Sequence, residues 1–133
     1  MMRRHRRIKV LLCNRHNLFC EGIKALFPEG TPIEIVGEST TAGQALNLMK
    51  QLKPDVVLLD ATTSDLGGSE ATRKLKAINP HVEVLILSLC DDLPLVSACL
   101  DAGAAGYIGR EDGPQELELA ISMAYKRRFL HAA

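Results

Sequence analysis

Apolar and polar positions alternate in two registers along this chain of 133 residues. Five short stretches are almost continuously apolar and read as strands: Ile8–Cys13, Ile33–Gly37, Val56–Leu59, Val82–Leu87 and Tyr107–Ile108. Unbroken β-branched and leucine runs suit parallel strands buried on both faces. Between them, apolar residues recur at three- and four-residue spacing, the signature of amphipathic helices. Leu18, Gly22, Ile23, Leu26 and Phe27 form the first stripe, and Ala45, Leu46, Met49 and Leu52 the second. Ala71, Leu75 and Ile78 form the third, Val96, Cys99 and Leu100 the fourth, and Leu117, Ala120, Ile121 and Ala124 the fifth.

The residues between these segments agree with the pattern. Thr41 followed by Gln44 reads as a capping box at the start of the second helix. Pro54 disfavours helical geometry at Lys53 and so ends that helix. Gly103 suits the left-handed position that closes the fourth helix. Gly113-Pro114 with Glu116 reads as a cap, a first-turn proline and a first-turn acid opening the fifth.

Five strands alternating with five helices imply right-handed crossovers and a doubly wound α/β fold, with helices on both faces of a parallel sheet. Ligands of such sheets sit beyond the carboxyl ends of the strands. That directs attention to Asn14-Arg15-His16, Glu38-Ser39-Thr40, Asp60-Ala61-Thr62, Ser88-Leu89-Cys90 and Gly109-Arg110-Glu111.

Composition narrows the picture only in places. The length suits one domain with a substantial core. Sixteen basic residues balance sixteen acidic ones, so global charge argues neither for nor against nucleic acid. The basic residues Arg3, Arg4, Arg6, Arg7 and Lys9 crowd the first ten positions, and residues 1–7 read as a solvated basic arm. Cys13, Cys20, Cys90 and Cys99 include no CxxC pair, so neither a zinc site nor a disulfide framework is indicated. No run is long enough to span a membrane, and the basic N-terminus lacks a signal-peptide cleavage pattern, so a cytoplasmic protein is expected.

Asp60 ends the run Asp55-Val56-Val57-Leu58-Leu59 and precedes a loop containing Gly67-Gly68. A carboxylate at the end of a central parallel strand is placed to act as a nucleophile or metal ligand, although alone it reads equally as a loop or capping acid. Ser88 and Arg110 follow the fourth and fifth strands and bring a hydroxyl and a cation to the same end.

These segments resemble the receiver domains of bacterial two-component response regulators, most of all those attached to LuxR-type helix-turn-helix output domains. The stretches that carry the resemblance are NRHNLFCEGIKALF, PDVVLLD, VLILSLCDD and LDAGAAGYIGREDGPQEL. It covers residues 8–127, with residues 128–133 as a C-terminal tail or the start of a linker. It implies a flavodoxin-like five-stranded sheet of order 2-1-3-4-5 with five helices. It places Asp60 at the phospho-acceptor, Ser88 and Tyr107 at the switch positions, and Arg110 where the family's phosphate-contacting lysine stands. Thr62 and Cys90 fall at positions that tune dephosphorylation.

Two parts of the family pattern are missing. The acidic pair that follows the first strand and holds Mg²⁺ is replaced by Asn14 and Arg15. The Met-Pro after the acceptor is Thr63-Ser64. An ordinary site collects three carboxylates and one ammonium; here one carboxylate meets two guanidiniums. Unit charges ~4 Å apart interact by about 4 kcal/mol at an effective dielectric of 20, so an arginine there opposes Mg²⁺. Arg15 is expected to pair with Asp60 as a built-in cation, the alternative being a side chain turned to solvent above an empty site.

The resemblance therefore implies a non-enzymatic signalling domain that has lost its metal and works through protein contacts. Those contacts would use the helix 4, strand 5 and helix 5 face, or helices 1 and 5. Partners would be a histidine kinase, a second receiver or a C-terminal DNA-binding domain, with no direct nucleic-acid or membrane contact. An ordinary receiver phosphorylated on Asp60 is the first alternative. A flavodoxin-like enzyme or small-ligand domain is the second, although no glycine-rich phosphate loop follows the first strand.

Overall fold

The computed structural model describes residues 7–63, 65–88, 92–109 and 111–131. Strands and helices alternate without exception among them: β1 (Ile8–Cys13), α1 (Asn17–Leu26), β2 (Ile33–Ser39), α2 (Ala42–Leu52), β3 (Val56–Asp60), α3 (Gly68–Ile78), β4 (Glu83–Ser88), α4 (Leu93–Asp101), β5 (Gly106–Gly109) and α5 (Pro114–His131). The sheet order is β2-β1-β3-β4-β5, all neighbours parallel. Fold class and strand order are those expected, and strand boundaries differ by at most two residues. Two of those differences matter, because Asp60 and Ser88 are the last residues of β3 and β4 rather than the first of the loops.

The apolar runs lack alternation because both sheet faces are covered. Val10, Leu12, Val56, Leu58, Leu85 and Leu87 point to one side, where Cys20, Ile23 and Phe27 of α1 and Leu117, Ile121 and Ala124 of α5 close the core. Leu11, Cys13, Val57, Leu59, Val84 and Ile86 point to the other, beneath α2, α3 and α4. Truncating such a fully buried Leu or Ile to Ala costs about 2–5 kcal/mol. Helix ends follow the expected chemistry. Thr41 Oγ1 accepts from the Gln44 N–H at 3.2 Å, while Gln44 Oε1 accepts from the Thr40 N–H at 2.9 Å, one residue before the partner of a standard capping box. Lys53 closes α2 at φ 49° immediately before Pro54, Gly103 takes φ 116° after α4, and the Gly113 N–H donates to Glu116 at 2.8 Å.

One stripe is corrected. Leu18 is 87% exposed and Leu26 39%, whereas Cys20 is buried. The α1 residues that face the sheet are Cys20, Ile23 and Phe27; Leu18, Gly22 and Leu26 line the neighbouring row and look toward α5. A wide apolar stripe says that a helix packs without saying which edge of the stripe meets the sheet. Ile78 and Leu100, at 42% and 39%, likewise end their stripes at the surface.

The edge of the sheet opposite the strand carboxyl ends holds a buried ion network. Asp55 is 1% exposed; one oxygen accepts from the Lys9 N–H at 2.9 Å and the other pairs with Arg128. Glu83 lies between Lys76, at 3.2 Å, and Arg127, whose Nε is 3.0 Å away but not aligned for a hydrogen bond. Arg128 Nε also donates to the His81 carbonyl at 2.8 Å. Residues 128–131, within the stretch expected to be a C-terminal tail or the start of a linker, are helical as the end of α5, with Arg128 tied to the sheet. At the other terminus, Arg7 donates to the Thr31 and Ile33 carbonyls, both at 2.9 Å, while the rest of the basic arm lies outside the described residues.

Candidate functional site: the carboxyl ends of the strands

Parallel pairing brings the ends of β1, β3 and β4 side by side. Cys13 pairs with Leu59, so Asn14 and Asp60 come next on adjacent strands; Asp60 pairs with Leu87, so Ser88 follows on the third. Asn14, Asp60 and Ser88 are 2%, 7% and 5% exposed, which makes this a cluster of buried polar side chains at one end of an apolar sheet. Buried polar groups need partners. Asp60 Oδ1 accepts from the Thr62 N–H at 2.9 Å and from the Thr62 hydroxyl at 2.8 Å. Thr62 therefore holds the Asp60 carboxylate in one orientation.

The positions of the missing acidic pair behave differently from each other. Asn14 extends the sheet through its N–H to the Ser39 carbonyl at 3.0 Å, and its side-chain oxygen accepts from the His16 N–H at 2.7 Å. That oxygen closes a local turn. Arg15 is exposed, and among the described residues no ion pair joins it to Asp60. The expected built-in cation is thus corrected to its alternative. An exposed guanidinium gains little from a pair in water and loses rotamer freedom by making one, while Thr62 already occupies an Asp60 oxygen.

Tyr107 pairs with Ile86 on the edge strand and is 47% exposed. The Gly109 N–H that follows donates to Asp112 at 2.8 Å. Arg110 and Cys90 lie outside the described residues, as does Ser64. Gly68 opens α3 against the acceptor loop, where a Cβ would come within 2.9 Å of the Ala61 carbonyl and 2.8 Å of Cys99 Sγ. Only glycine fits that approach.

Beneath the site, burial pushes the Cys13 thiol up to about 11, with the Asp65 and Asp60 charges adding to the rise and a Ser39 hydrogen bond opposing it. Cys13 is a neutral thiol near neutral pH, neither nucleophile nor ligand. Asp65 was not anticipated. Its two oxygens accept from the Ala42 N–H at 3.0 Å and the Gly43 N–H at 2.8 Å, across the top of the sheet. These bonds, the one to Gly43 foremost, hold its carboxyl below the ordinary carboxylate value. The available clue was negative: the first turn of α2 contains no acid of its own.

Comparison with known proteins agrees with this arrangement. Residues 10–122 match the family model of the response regulator receiver domain. The response regulator GacA of Pseudomonas aeruginosa is 36% identical over 118 residues, and the response regulator UvrY of Escherichia coli K12 is 35% identical over the same length. Each match takes in 89% of this chain but only 55% and 54% of those relatives, so the chain spans little more than half their length. A LuxR-family response regulator from Aurantimonas sp. SI85-9A1 superposes with a TM-score of 0.84 at 29% identity, covering 92% of this chain and 87% of that one. The signal receiver domain of the putative response regulator NarL from Mycobacterium tuberculosis gives 0.84 at 27% identity, covering 91% and 98%. With its strand order, its aspartate at the end of β3 and its serine at the end of β4, the chain belongs to the response regulator receiver domain family.

Proposed function

We propose that this receiver works without Mg²⁺-dependent phosphorylation and passes its signal by protein–protein contact. The state of the Asn14-Arg15 pair carries the reading. Mg²⁺ asks for near-octahedral oxygen ligands, usually one or two carboxylates among them. Asn14 offers one neutral oxygen, already bonded to the His16 N–H, and Arg15 adds positive charge. Asp60 remains as the acid from the usual set, with one oxygen held by Thr62. These residues do not fit the ion, and phosphoryl transfer relies on it to neutralise developing charge.

Exposed apolar side chains support contact as the output. Exposed Leu18 and Leu26, half-buried Phe19 and buried Ile23, Ile108 and Leu117 line a cleft of about 670 Å³ between α1 and α5. Leu93, Tyr107, Leu119 and Met123 are also more than two-fifths exposed, on α4, β5 and α5. Apolar surface grouped in this way marks interaction faces. The partner is a histidine kinase, a second receiver or an output domain. Receiver family membership weighs against the flavodoxin-like enzyme reading, and among the described residues no helix is long and apolar enough to cross a membrane.

Calorimetric titration with MgCl₂ is expected to give no saturable heat at millimolar concentration. Incubation with acetyl phosphate and MgCl₂ is expected to leave the intact mass unchanged. A stoichiometric phosphate adduct on Asp60 would instead establish an ordinary phosphorylated receiver.

A further inference from the structure

We infer that Asp65 couples the loop after Asp60 to the N-terminus of α2, so that the two segments move as one unit. The first four N–H groups of a helix lack intrahelical partners. In α2 the Ala45 N–H already makes the first intrahelical bond, to the Thr41 carbonyl at 3.2 Å, and of the helical residues before it the segment itself serves only Gln44, whose N–H goes to Thr41 Oγ1. The first pair, Ala42 and Gly43, is served from a different loop, one Asp65 oxygen to each, 23 and 22 residues away in sequence. Gly43 is part of the fit, because a Cβ there would lie 3.3 Å from Asp65 Oδ2.

The loop side is equally well tied. The Thr63 N–H donates to the Asp60 carbonyl at 3.3 Å, the Gly67 N–H to the Thr63 carbonyl at 3.2 Å, and the Gly68 N–H to the Ala61 carbonyl at 3.2 Å. With Thr62 fixed on Asp60, the loop is held at both ends, and Asp65 projects from its middle. A shift of the Asp60–Thr62 turn therefore pulls on the first turn of α2, and a shift of α2 pulls on the acceptor. This opens a route from the site to the β2 edge of the sheet, distinct from both contact faces above. It rests on hydrogen bonds between described groups and holds whether or not Asp60 takes phosphate.

Amide hydrogen exchange on the full chain, without phosphate donor or metal, tests the coupling in both directions. Asp65→Ala is expected to speed exchange at Ala42 and Gly43 by about tenfold, the factor of a lost helix-cap bond. It is also expected to speed exchange at Thr62 and Thr63, and Asp65→Glu is expected to restore part of the protection at both places. Reciprocally, Asp60→Ala is expected to loosen Ala42 and Gly43, since coupling between two sites acts equally from either one. Should Asp65→Ala fail to fold, Gly43→Ala presses on the same oxygen more gently, and the same two-segment response is required of it. Acceleration confined to α2 would reduce Asp65 to a helix cap and overturn the coupling. No acceleration at Ala42 and Gly43 would overturn it as well.

Discussion

Rebuilding the acidic pair tests whether the residues at the ends of β1 and β3 decide metal binding in this receiver. The perturbation is Asn14→Asp with Arg15→Asp. Asn14 and Asp60 are neighbours across paired strands, and both are nearly buried. A carboxylate at position 14 would thus face Asp60 in a poorly hydrated place. At a spacing of ~4 Å the repulsion is about 4 kcal/mol for an effective dielectric of 20. Proton uptake by one member relieves part of it, leaving a loss of about 2–3 kcal/mol in the metal-free variant. The change at Arg15 adds little to this loss, because that side chain is exposed and unpaired with Asp60. For a domain of this size each kcal/mol moves Tm by about 3–5 °C, so the metal-free variant is expected to melt about 10 °C below the parent.

Added Mg²⁺ then reverses the sign of the effect. Three carboxylates provide oxygen ligands, and an ion that binds only the folded state stabilises it by mass action. At a Mg²⁺ concentration a hundredfold above Kd the gain is about 2.7 kcal/mol, enough to recover the whole loss. The assay is a pair of thermal melts, parent and double variant, with and without MgCl₂. The variant is expected to gain about 10 °C and the parent to stay put, and Asp60→Ala in the variant should abolish the gain. Equal responses from parent and variant, or none from either, would refute the assignment of metal loss to Asn14 and Arg15.

Asp55→Ala removes the buried acceptor of both Arg128 and the Lys9 N–H, and urea unfolding is expected to show a loss of about 1–3 kcal/mol with little change in slope. Asp65 has a folded pKa below its unfolded one, so its contribution to stability is complete above the unfolded value and disappears as pH falls through the folded value. Parent and Asp65→Asn should therefore differ in chemical stability above the ordinary carboxylate value and converge as pH falls below it, which denaturant titrations across that window will show. Cys13, with its thiol pushed up to about 11 by burial, is expected to resist iodoacetamide at pH 8 in the folded protein and react only on unfolding, as read by peptide mapping.

The fold was legible because burial on both faces leaves a one-dimensional trace: unbroken apolar runs, then stripes at helical spacing, then Pro54, Gly103 and Gly113 at the joints. The site was legible only where a residue's position along its strand decides its place. Asp60 and Ser88 end β3 and β4, and parallel pairing does the rest. Arg15 was misplaced because direction after a strand end is a matter of local hydrogen bonding. The Asn14 side chain captures the His16 N–H and turns the chain there, leaving the Arg15 side chain in solvent. Asp65 and Asp55 escaped for a different reason. Each satisfies backbone or charge partners far away in sequence, and an isolated acid beside a proline or a glycine pair carries no periodic signal.

A sheet of this kind can change the residues at its strand ends without losing its shape, because shape and site are set at different places. The apolar clusters lie between the helices and the strand bodies, and neither contains Asn14, Arg15 or Asp60. The charged anchors of β3, β4 and α5 lie at the opposite edge, in the Asp55, Glu83, Arg127 and Arg128 network. At the site itself, three polar groups have local donors, namely Thr62 for Asp60, the His16 N–H for Asn14 and the α2 N-terminus for Asp65, while the buried Thr63 hydroxyl has no hydrogen-bond partner among the described residues. An ordinary acidic cluster needs its ion to offset repulsion between carboxylates. Here Asn14 and Arg15 place no carboxylate beside Asp60, and the described residues of the loop after it are held by neutral N–H and O–H donors.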